Sequence, residues 1–209
     1  MHSVKSKLQK AGKQRELHRQ GRKRIGFNTV SIAGYTSAGK TTLFNALTGE
    51  QKEKSAKLFT TLTTTTRKFK LDKEWVLISD TVGFISKLPA YLIEAFRSTL
   101  EELTFTDVVL VIIDATDTSS KLKSKFSNCM KTLIELGVER DKIIFVFNKT
   151  EKMNEGEMIH KMEELELDNN KKCVAISALK KKNFDTLKEI IRENIGEHKR
   201  IINKNSGME

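Results

Sequence analysis

The sequence predicts an α/β fold in which a mostly parallel sheet has helices on both of its faces. Runs of apolar and β-branched residues alternate along the 209 residues with amphipathic segments of helical length. Two of the apolar runs, residues 107–115 and 142–148, have few polar residues, which is typical of strands buried on both faces. A chain of this length is expected to form one domain with a short appendage.

The elements follow one another in a regular order. The first strand is predicted at residues 27–33, and a glycine-rich loop and a helix at 41–49 come after it. Residues 67–71 and 75–80 are predicted to pair through the turn LDKE, which adds one antiparallel edge strand to an otherwise parallel six-stranded sheet. Helices and strands then alternate, beginning with a helix, at 91–103, 107–115, 119–137, 142–148, 155–167, 171–178 and 183–195.

The large aromatic residues are expected to face the core. Their positions within the predicted elements favour burial of Phe44, Trp75, Phe96, Phe145 and Phe147. The domain is predicted to span residues 26–197, between a basic segment at 1–25 and a polar tail at 198–209.

The charge of the chain indicates a polyanionic partner. The formal net charge is +11 and the pI is about 9.6, which favours nucleic acid over an anionic membrane surface. Residues 1–25 are rich in Lys and Arg and have one acidic residue, so they form either a solvated helical linker or an arm that contacts RNA phosphates. No run of 18 apolar residues and no secretion signal is present, and two distant cysteines make no disulfide framework; we therefore expect a cytoplasmic protein without a membrane span.

The stretch GYTSAGKT, residues 34–41, predicts a phosphate-binding loop. The glycines allow backbone N–H groups to converge on an anion, the lysine reaches the β- and γ-phosphates, and the threonine hydroxyl binds magnesium. A strand precedes the stretch and a helix follows it, so the positive end of the helix adds to the attraction. The predicted phosphate-binding residues are Gly34, Tyr35, Thr36, Ser37, Ala38, Gly39, Lys40, Thr41 and Thr42.

Motifs at the ends of later strands indicate which nucleotide binds. Ligands in such sheets lie at the carboxyl ends of the strands. Asp80 ends a predicted strand and can hold magnesium through water, and the N–H of Gly83 can approach a γ-phosphate because glycine has no Cβ.

Residues at and just after the ends of two further predicted strands favour guanine. Asn148 can accept a hydrogen bond from a purine, and the carboxylate of Glu151, two residues after Lys149, can accept from both the N1–H and the N2 amine of guanine. Adenine has neither donor there, so these residues argue against the alternative of an ATP-dependent kinase or ATPase. Backbone N–H groups near the guanine O6 are predicted at Ser177, Ala178 and Leu179.

These motifs resemble the translation-factor branch of the GTPases, and most closely the HflX family of ribosome-associated GTPases. The resemblance covers roughly residues 10–197 and is most specific in GYTSAGKTTLFNALTG, LFTTLTTTTRKFKL and DTVGFISKLPAYLIEAFRSTLEEL. It implies a Ras-like P-loop domain that binds GTP and GDP with Mg²⁺ and acts on the large ribosomal subunit and its RNA, in some members by splitting ribosomes. The family's N-terminal domain has no counterpart here, so the chain is expected to be a truncated piece or a minimal relative.

The resemblance also implies roles for residues of the switches. Lys40, Thr61 and Gly83 are the implied catalytic residues, and Thr41, Thr61 and Asp80 the implied magnesium ligands, with Thr65 as the second choice for Thr61. Phe84 stands where many GTPases have a glutamine, so intrinsic hydrolysis is expected to be slow. Two alternatives stay open: a guanine-nucleotide module with negligible hydrolysis, and a GTPase with another RNA-containing partner. A monomer that does not bind DNA is expected.

Overall fold

The computed structural model describes residues 26–50, 65–80 and 101–205. Several predictions lie outside these residues: the basic segment at 1–25, most of the helix at 91–103, and the switch residues Thr61, Gly83 and Phe84.

The described strands form a single six-stranded sheet with the order β2-β3-β1-β4-β5-β6. β2 and β3 pair in antiparallel fashion, and all other neighbours are parallel. The antiparallel strand β2 lies at one edge, so the predicted sheet architecture is confirmed. The strands are β1 (Thr29–Gly34), β2 (Thr65–Leu71), β3 (Glu74–Asp80), β4 (Val108–Asp114), β5 (Ile143–Asn148) and β6 (Cys173–Ala175).

Four α-helices connect or follow the described strands, and their ends have clear local causes. α1 ends before Gly49, which adopts a left-handed conformation and donates its N–H to Asn45 O. α3 begins with a reciprocal capping box between Asn154 and Glu157. The helices are α1 (Lys40–Thr48), α2 (Ser119–Glu135), α3 (Glu155–Glu163) and α4 (Phe184–Asn205), with short 3₁₀ turns at Glu101–Phe105, Arg140–Lys142 and Thr150–Lys152.

The structure differs most from the prediction in the lengths of three elements. α3 stops at Glu163, four residues early, because Glu166 has a φ of 57° and the chain turns there to bury Leu165 and Leu167. β6 has only three residues, fewer than the predicted eight. α4 continues to Asn205, past the predicted end at 195.

Two apolar cores lie on the two faces of the sheet. Alternate residues of β4 and β5 point to opposite faces, as the period of a strand requires. One core joins the sheet to α2 and α3 through Leu122, Leu133 and Met158, and the other joins it to α1 and α4 through Phe44 and Leu187. Among the described residues, no helix is both long enough and apolar enough to cross a bilayer.

The prediction for the large aromatic residues is confirmed for three of them and wrong for one. Phe44, Phe145 and Phe147 are buried in the cores. Trp75, in contrast, is 51% exposed. It is the second residue of β3, and its side chain lies on the sheet face opposite to that of its buried neighbour Val76. Phe96 lies outside the described residues.

Candidate nucleotide-binding site

The loop between β1 and α1 has the backbone shape of a phosphate cradle. Gly34 and Gly39 have φ values of 133° and 98°, and Ser37 has a φ of 64°. A Cβ on Gly34 would lie 2.5 Å from Ile112 O, and one on Gly39 would lie 2.2 Å from Asn148 Nδ2, so only glycine fits at either position. No side chain caps the N-terminus of α1, which leaves the N–H groups of its first turn, from Lys40 to Thr42, directed at the loop.

Lys40 lies with its ammonium group inside this loop. The side chain is buried, and Nζ donates a hydrogen bond to Tyr35 O at 2.7 Å. Burial lowers the pKa of Lys40 to about 8, although the carboxylate of Asp80 partly offsets that effect. A partly desolvated ammonium among backbone donors is a strong binding group for a polyphosphate.

A hydroxyl and a carboxylate meet beside the lysine. Asp80 is fully buried at the end of β3, and Thr41 Oγ1 donates to Asp80 Oδ2 at 3.3 Å. Both groups are hard oxygen ligands, and Mg²⁺ commonly takes only one or two protein ligands and completes its shell with water and phosphate. Thr65, the second choice for the switch threonine, is directly opposite Asp80 in the β2–β3 ladder. The residues present therefore fit a magnesium ion bound with a nucleotide.

The side chain of Asn148 joins the phosphate loop to the turn after β6. Its Nδ2 donates to Ala38 O at 2.9 Å, and its Oδ1 accepts from the Ala178 N–H at 2.9 Å. Asn148 and Ala178 are both buried. The asparagine thus fixes the distance between the loop after β1 and the turn after β6.

A carboxylate that the sequence motifs did not single out holds Lys149. Lys149 has a φ of 72°, and its Nζ lies 2.5 Å from Asp114 Oδ2. Asp114 Oδ1 accepts from the Thr116 N–H at 3.0 Å and from Thr116 Oγ1 at 2.7 Å. Burial raises the pKa of Asp114, but the hydrogen bonds from Lys149 and Thr116 outweigh it, so the pKa lies below its ordinary value. A signal for Asp114 was present in the sequence, because it is the one acidic residue near the carboxyl end of the predicted strand 107–115; in the structure it pairs with Asn148 of β5.

The remaining predicted base-binding residues border the same end of the sheet. Glu151 lies in the 3₁₀ turn after β5 and is exposed. Ser177 is buried, and its Oγ accepts from the Lys180 N–H at 3.0 Å, which closes the turn after β6. Leu179 is exposed at the tip of that turn. The structure therefore brings the described parts of all four motifs to one rim of the sheet, while Thr61 and Gly83 lie outside the described residues.

This fold and this arrangement of strand-end residues define a P-loop nucleotide-binding domain of the GTPase class. The sequence pattern of the 50S ribosome-binding GTPases matches residues 29–149, more than half of the chain, and the chain belongs to that family.

Individual relatives agree with this assignment. The GTPase HflX of Methanocaldococcus jannaschii is 43% identical over 195 residues, which cover 92% of this chain and 47% of that protein. The GTPase HflX of Thermococcus kodakarensis is 40% identical over 162 residues, 78% of this chain and 37% of that protein. The resemblance to the HflX family is confirmed, and the chain spans about half the length of the curated relatives it matches.

Solved structures share the fold. A GTP-binding protein of Sulfolobus solfataricus in complex with GDP is 25% identical with a TM-score of 0.66, covering 93% of this chain and 61% of that one. Era in complex with MgGDPNP and a segment of 16S ribosomal RNA is 26% identical with a TM-score of 0.62, covering 79% of this chain and 56% of that one.

Proposed function

We propose that this chain binds guanine nucleotide with Mg²⁺ and hydrolyses GTP as a conformational switch on the large ribosomal subunit. The observation that supports it best is the double hydrogen bond of Asn148, which ties a phosphate loop to two turns with guanine-binding residue types. Membership of the family of 50S ribosome-binding GTPases supports the ribosomal partner.

At the phosphate end, the chain's own groups are suited to a triphosphate. The N–H groups of the loop and the ammonium of Lys40 would stabilise the negative charge that develops on the γ-phosphate when water attacks it. Thr41 and Asp80 would hold Mg²⁺, which when bound neutralises charge on the β- and γ-phosphates. Thr61 and Gly83 are proposed to contact the ion and the γ-phosphate.

Hydrolysis by the chain alone is proposed to be slow. Phe84 follows Gly83 where many GTPases have a glutamine that orients the attacking water, and a phenyl ring cannot hydrogen-bond that water. The ribosomal subunit is therefore proposed to complete the catalytic site, which makes turnover depend on the partner.

At the base end, Glu151 is proposed to select guanine. Its carboxylate accepts from N1–H and from the N2 amine, while Lys149, held by Asp114, lies along the base and the turn at Ser177, Ala178 and Leu179 faces O6. Glu151→Gln tests this directly, because the amide presents a donor to the N2 amine. The fluorescence of labelled nucleotides should show GDP binding weakened at least about tenfold and xanthosine diphosphate binding strengthened.

The matched control is Glu155→Gln, an exposed glutamate in the first turn of α3 with no place in the site. It should bind GDP as the wild type does. ADP that displaces labelled GDP as well as GDP itself, or a Glu151→Gln variant with unaltered affinities, would contradict guanine selection.

The ribosomal role is tested by sedimentation with large subunits. A non-hydrolysable GTP analogue should increase the fraction of protein that pellets compared with GDP, and subunits should accelerate GTP hydrolysis. Equal pelleting with GDP and with the GTP analogue would contradict the proposed conformational switch. A GTP hydrolysis rate that large subunits do not raise above the rate in buffer would indicate a binding module without catalysis.

A further inference from the structure

The exposed ring of Trp75 lies in a basic environment at the edge of the sheet. β2 is the edge strand, and Lys70 on β2 pairs directly with Trp75 on β3. Directly paired residues of an antiparallel ladder point to the same face, with Cβ atoms about 5 Å apart. The side chains of Lys70 and Trp75 therefore leave the sheet side by side on one face.

A second lysine and a second ring extend this face. Lys68 precedes Lys70 by two residues and lies on the same face of β2, about 7 Å away along the strand. Its Nζ is 4.8 Å from the centroid of the Phe27 ring, which precedes β1. The opposite face of the hairpin is different in character, because Phe69 and Val76 are buried in the core there. We call Phe27, Lys68, Lys70 and Trp75 the hairpin face.

Among the residues that the structure describes, no acidic side chain neutralises the positive charge of the hairpin face. Within residues 26–50, 65–80 and 101–205, no carboxylate lies at ion-pair distance from Lys68 or Lys70, although both are exposed. Two nearby acids are engaged elsewhere: Glu50 pairs with Arg67, and Asp72 pairs with Arg192 at 2.9 Å. An exposed indole ring and a half-buried phenyl ring, beside lysines that have no ion-pair partner among the described residues, fit a partner that offers both flat apolar surfaces and negative charge.

We propose that the hairpin face binds single-stranded RNA, with a base stacked on Trp75 and phosphates on Lys68 and Lys70. Base stacking on an aromatic side chain and phosphate contact with lysine are the two components of single-strand binding. The choice of RNA rests on the proposed ribosomal function, whereas the polyanion chemistry rests on the hairpin face itself. Duplex RNA fits less well because its bases are already stacked on each other.

Trp75 gives a local readout because it is the only tryptophan of the chain. The full chain is titrated with a labelled oligoadenylate of about 12 nucleotides at about 50 and 200 mM salt. The tryptophan emission should be quenched saturably, in step with the anisotropy of the labelled RNA, and binding should be weaker at the higher salt. A duplex of the same length should leave the emission unchanged.

Variants separate the two components. Lys68→Gln/Lys70→Gln should weaken binding about tenfold at low salt and reduce the salt slope by about 1.4, since each phosphate contact on a single strand contributes about 0.7. Trp75→Ala should weaken binding about tenfold through loss of stacking. The matched control is Lys121→Gln/Lys123→Gln, which removes the same charge from exposed lysines of α2.

Two results would overturn the proposal: RNA binding that leaves the Trp75 emission unchanged, or equal affinities of the hairpin and α2 variants. Emission changes of the same size with anionic lipid vesicles would also overturn it, in favour of a membrane surface. GDP binding is measured in the same samples. Normal GDP binding without a Trp75 response removes this inference alone, whereas absence of GDP binding in the wild type removes the proposed function and leaves the RNA titration valid.

Discussion

The two ends of the candidate site are built in different ways. At the base end, side-chain hydrogen bonds join separate elements: Asn148 links two loops, and Asp114 holds Lys149. At the phosphate end, the positive φ values of Gly34 and Gly39 shape the backbone, and Lys40 and Asp80 are buried close to each other.

This difference has an energetic meaning. A hydrogen-bonded network in which each group has a partner positions residues before the ligand arrives and therefore lowers the entropy cost of binding. A buried ammonium is unfavourable without a strong anionic partner, and the lowered pKa of Lys40 reflects that cost. The base end is thus preorganised, while the phosphate end gains most from its ligand. Gly39 and Asn148 are where the two ends touch.

Gly39→Ala should have the largest effect because it disturbs both ends. The new Cβ would lie 2.2 Å from Asn148 Nδ2, and the φ of 98° is itself strained for any residue with a side chain. Backbone strain of about 1–2 kcal/mol and the loss of buried hydrogen bonds should together lower the free energy of unfolding by about 3–5 kcal/mol. Urea unfolding measures this change, and GDP affinity should fall with it.

Gly137→Ala is the matched control for that variant. Gly137 has a similar φ of 83°, but nothing lies within 4 Å of the Cβ it would gain. The free energy of unfolding of Gly137→Ala should fall by only about 1 kcal/mol, through backbone strain, and its GDP affinity should be unchanged. Equal destabilisation of the two variants would show that the contact between Gly39 and Asn148 contributes nothing.

Asn148→Ala should have the next largest effect. It removes two buried hydrogen bonds and leaves Ala38 O and the Ala178 N–H without their partner. The free energy of unfolding should fall by about 2–4 kcal/mol. Asn194→Ala is the control, since Asn194 is also buried but donates only one hydrogen bond, to Asp141 O at 2.9 Å. Similar losses in the two variants would contradict the bridging role.

Lys40→Met, unlike the two preceding variants, should raise the free energy of unfolding of the nucleotide-free protein. It should also abolish triphosphate binding. The pKa is 10.5 ordinarily and about 8 in the folded protein, which corresponds to at most about 3 kcal/mol of unfavourable burial. The unfolded chain binds more protons than the folded one between these values. The stability of the wild type should therefore rise as pH increases from 8 to 10.5.

The advantage of Lys40→Met over the wild type should accordingly be constant below pH 8 and shrink between pH 8 and 10.5. Urea unfolding at pH 7 and pH 10 measures both values. Lys142→Met is the control, because Lys142 is also buried but pairs with Glu139 at 3.3 Å and should gain no stability. A Lys40→Met protein less stable than the wild type at pH 7 would refute the idea that the phosphate end stores unfavourable charge.

The sequence predicted the strand, loop and helix of the phosphate end well because the signals for them are local. GYTSAGKT specifies a loop shape through glycines a few residues apart, and the strand before it and the helix after it are evident from periodicity. The mostly parallel sheet with one antiparallel edge strand likewise follows from alternating elements and a short hairpin turn.

Other features depended on contacts that spacing does not encode. The pair of Asp114 with Lys149 joins residues 35 positions apart, and a carboxylate at a strand end is common. Trp75 was wrongly placed in the core because alternation along β3 does not reveal which of the two faces of the sheet is covered at the start of that strand. The end of α3 depended on a left-handed residue, Glu166, for which glutamate gives no signal.

Asp114→Asn should have the smallest effect and would sharpen the account of the base end. Asparagine keeps an oxygen for Thr116 and places a donor against Lys149, so only the ion pair is lost. Lys149 should become less ordered, and the affinities for GDP and GTP should fall equally, by about fivefold, because the phosphates are not involved.

The pH dependence of Asp114→Asn separates the ion pair from a general loss of structure. The pKa of Asp114 is lowered, so the carboxylate is charged above its ordinary titration range, and the pair is lost only as pH falls through the depressed value. The affinity ratio of wild type to variant should therefore be constant from pH 6 to 9. Asp117→Asn is the control, since Asp117 pairs with Lys125 at 2.6 Å and does not contact Lys149. If Asp117→Asn loses as much GDP affinity as Asp114→Asn, the ion pair with Asp114 does not position Lys149, and its backbone alone does. Asn148 would then be the only side chain that organises the base end.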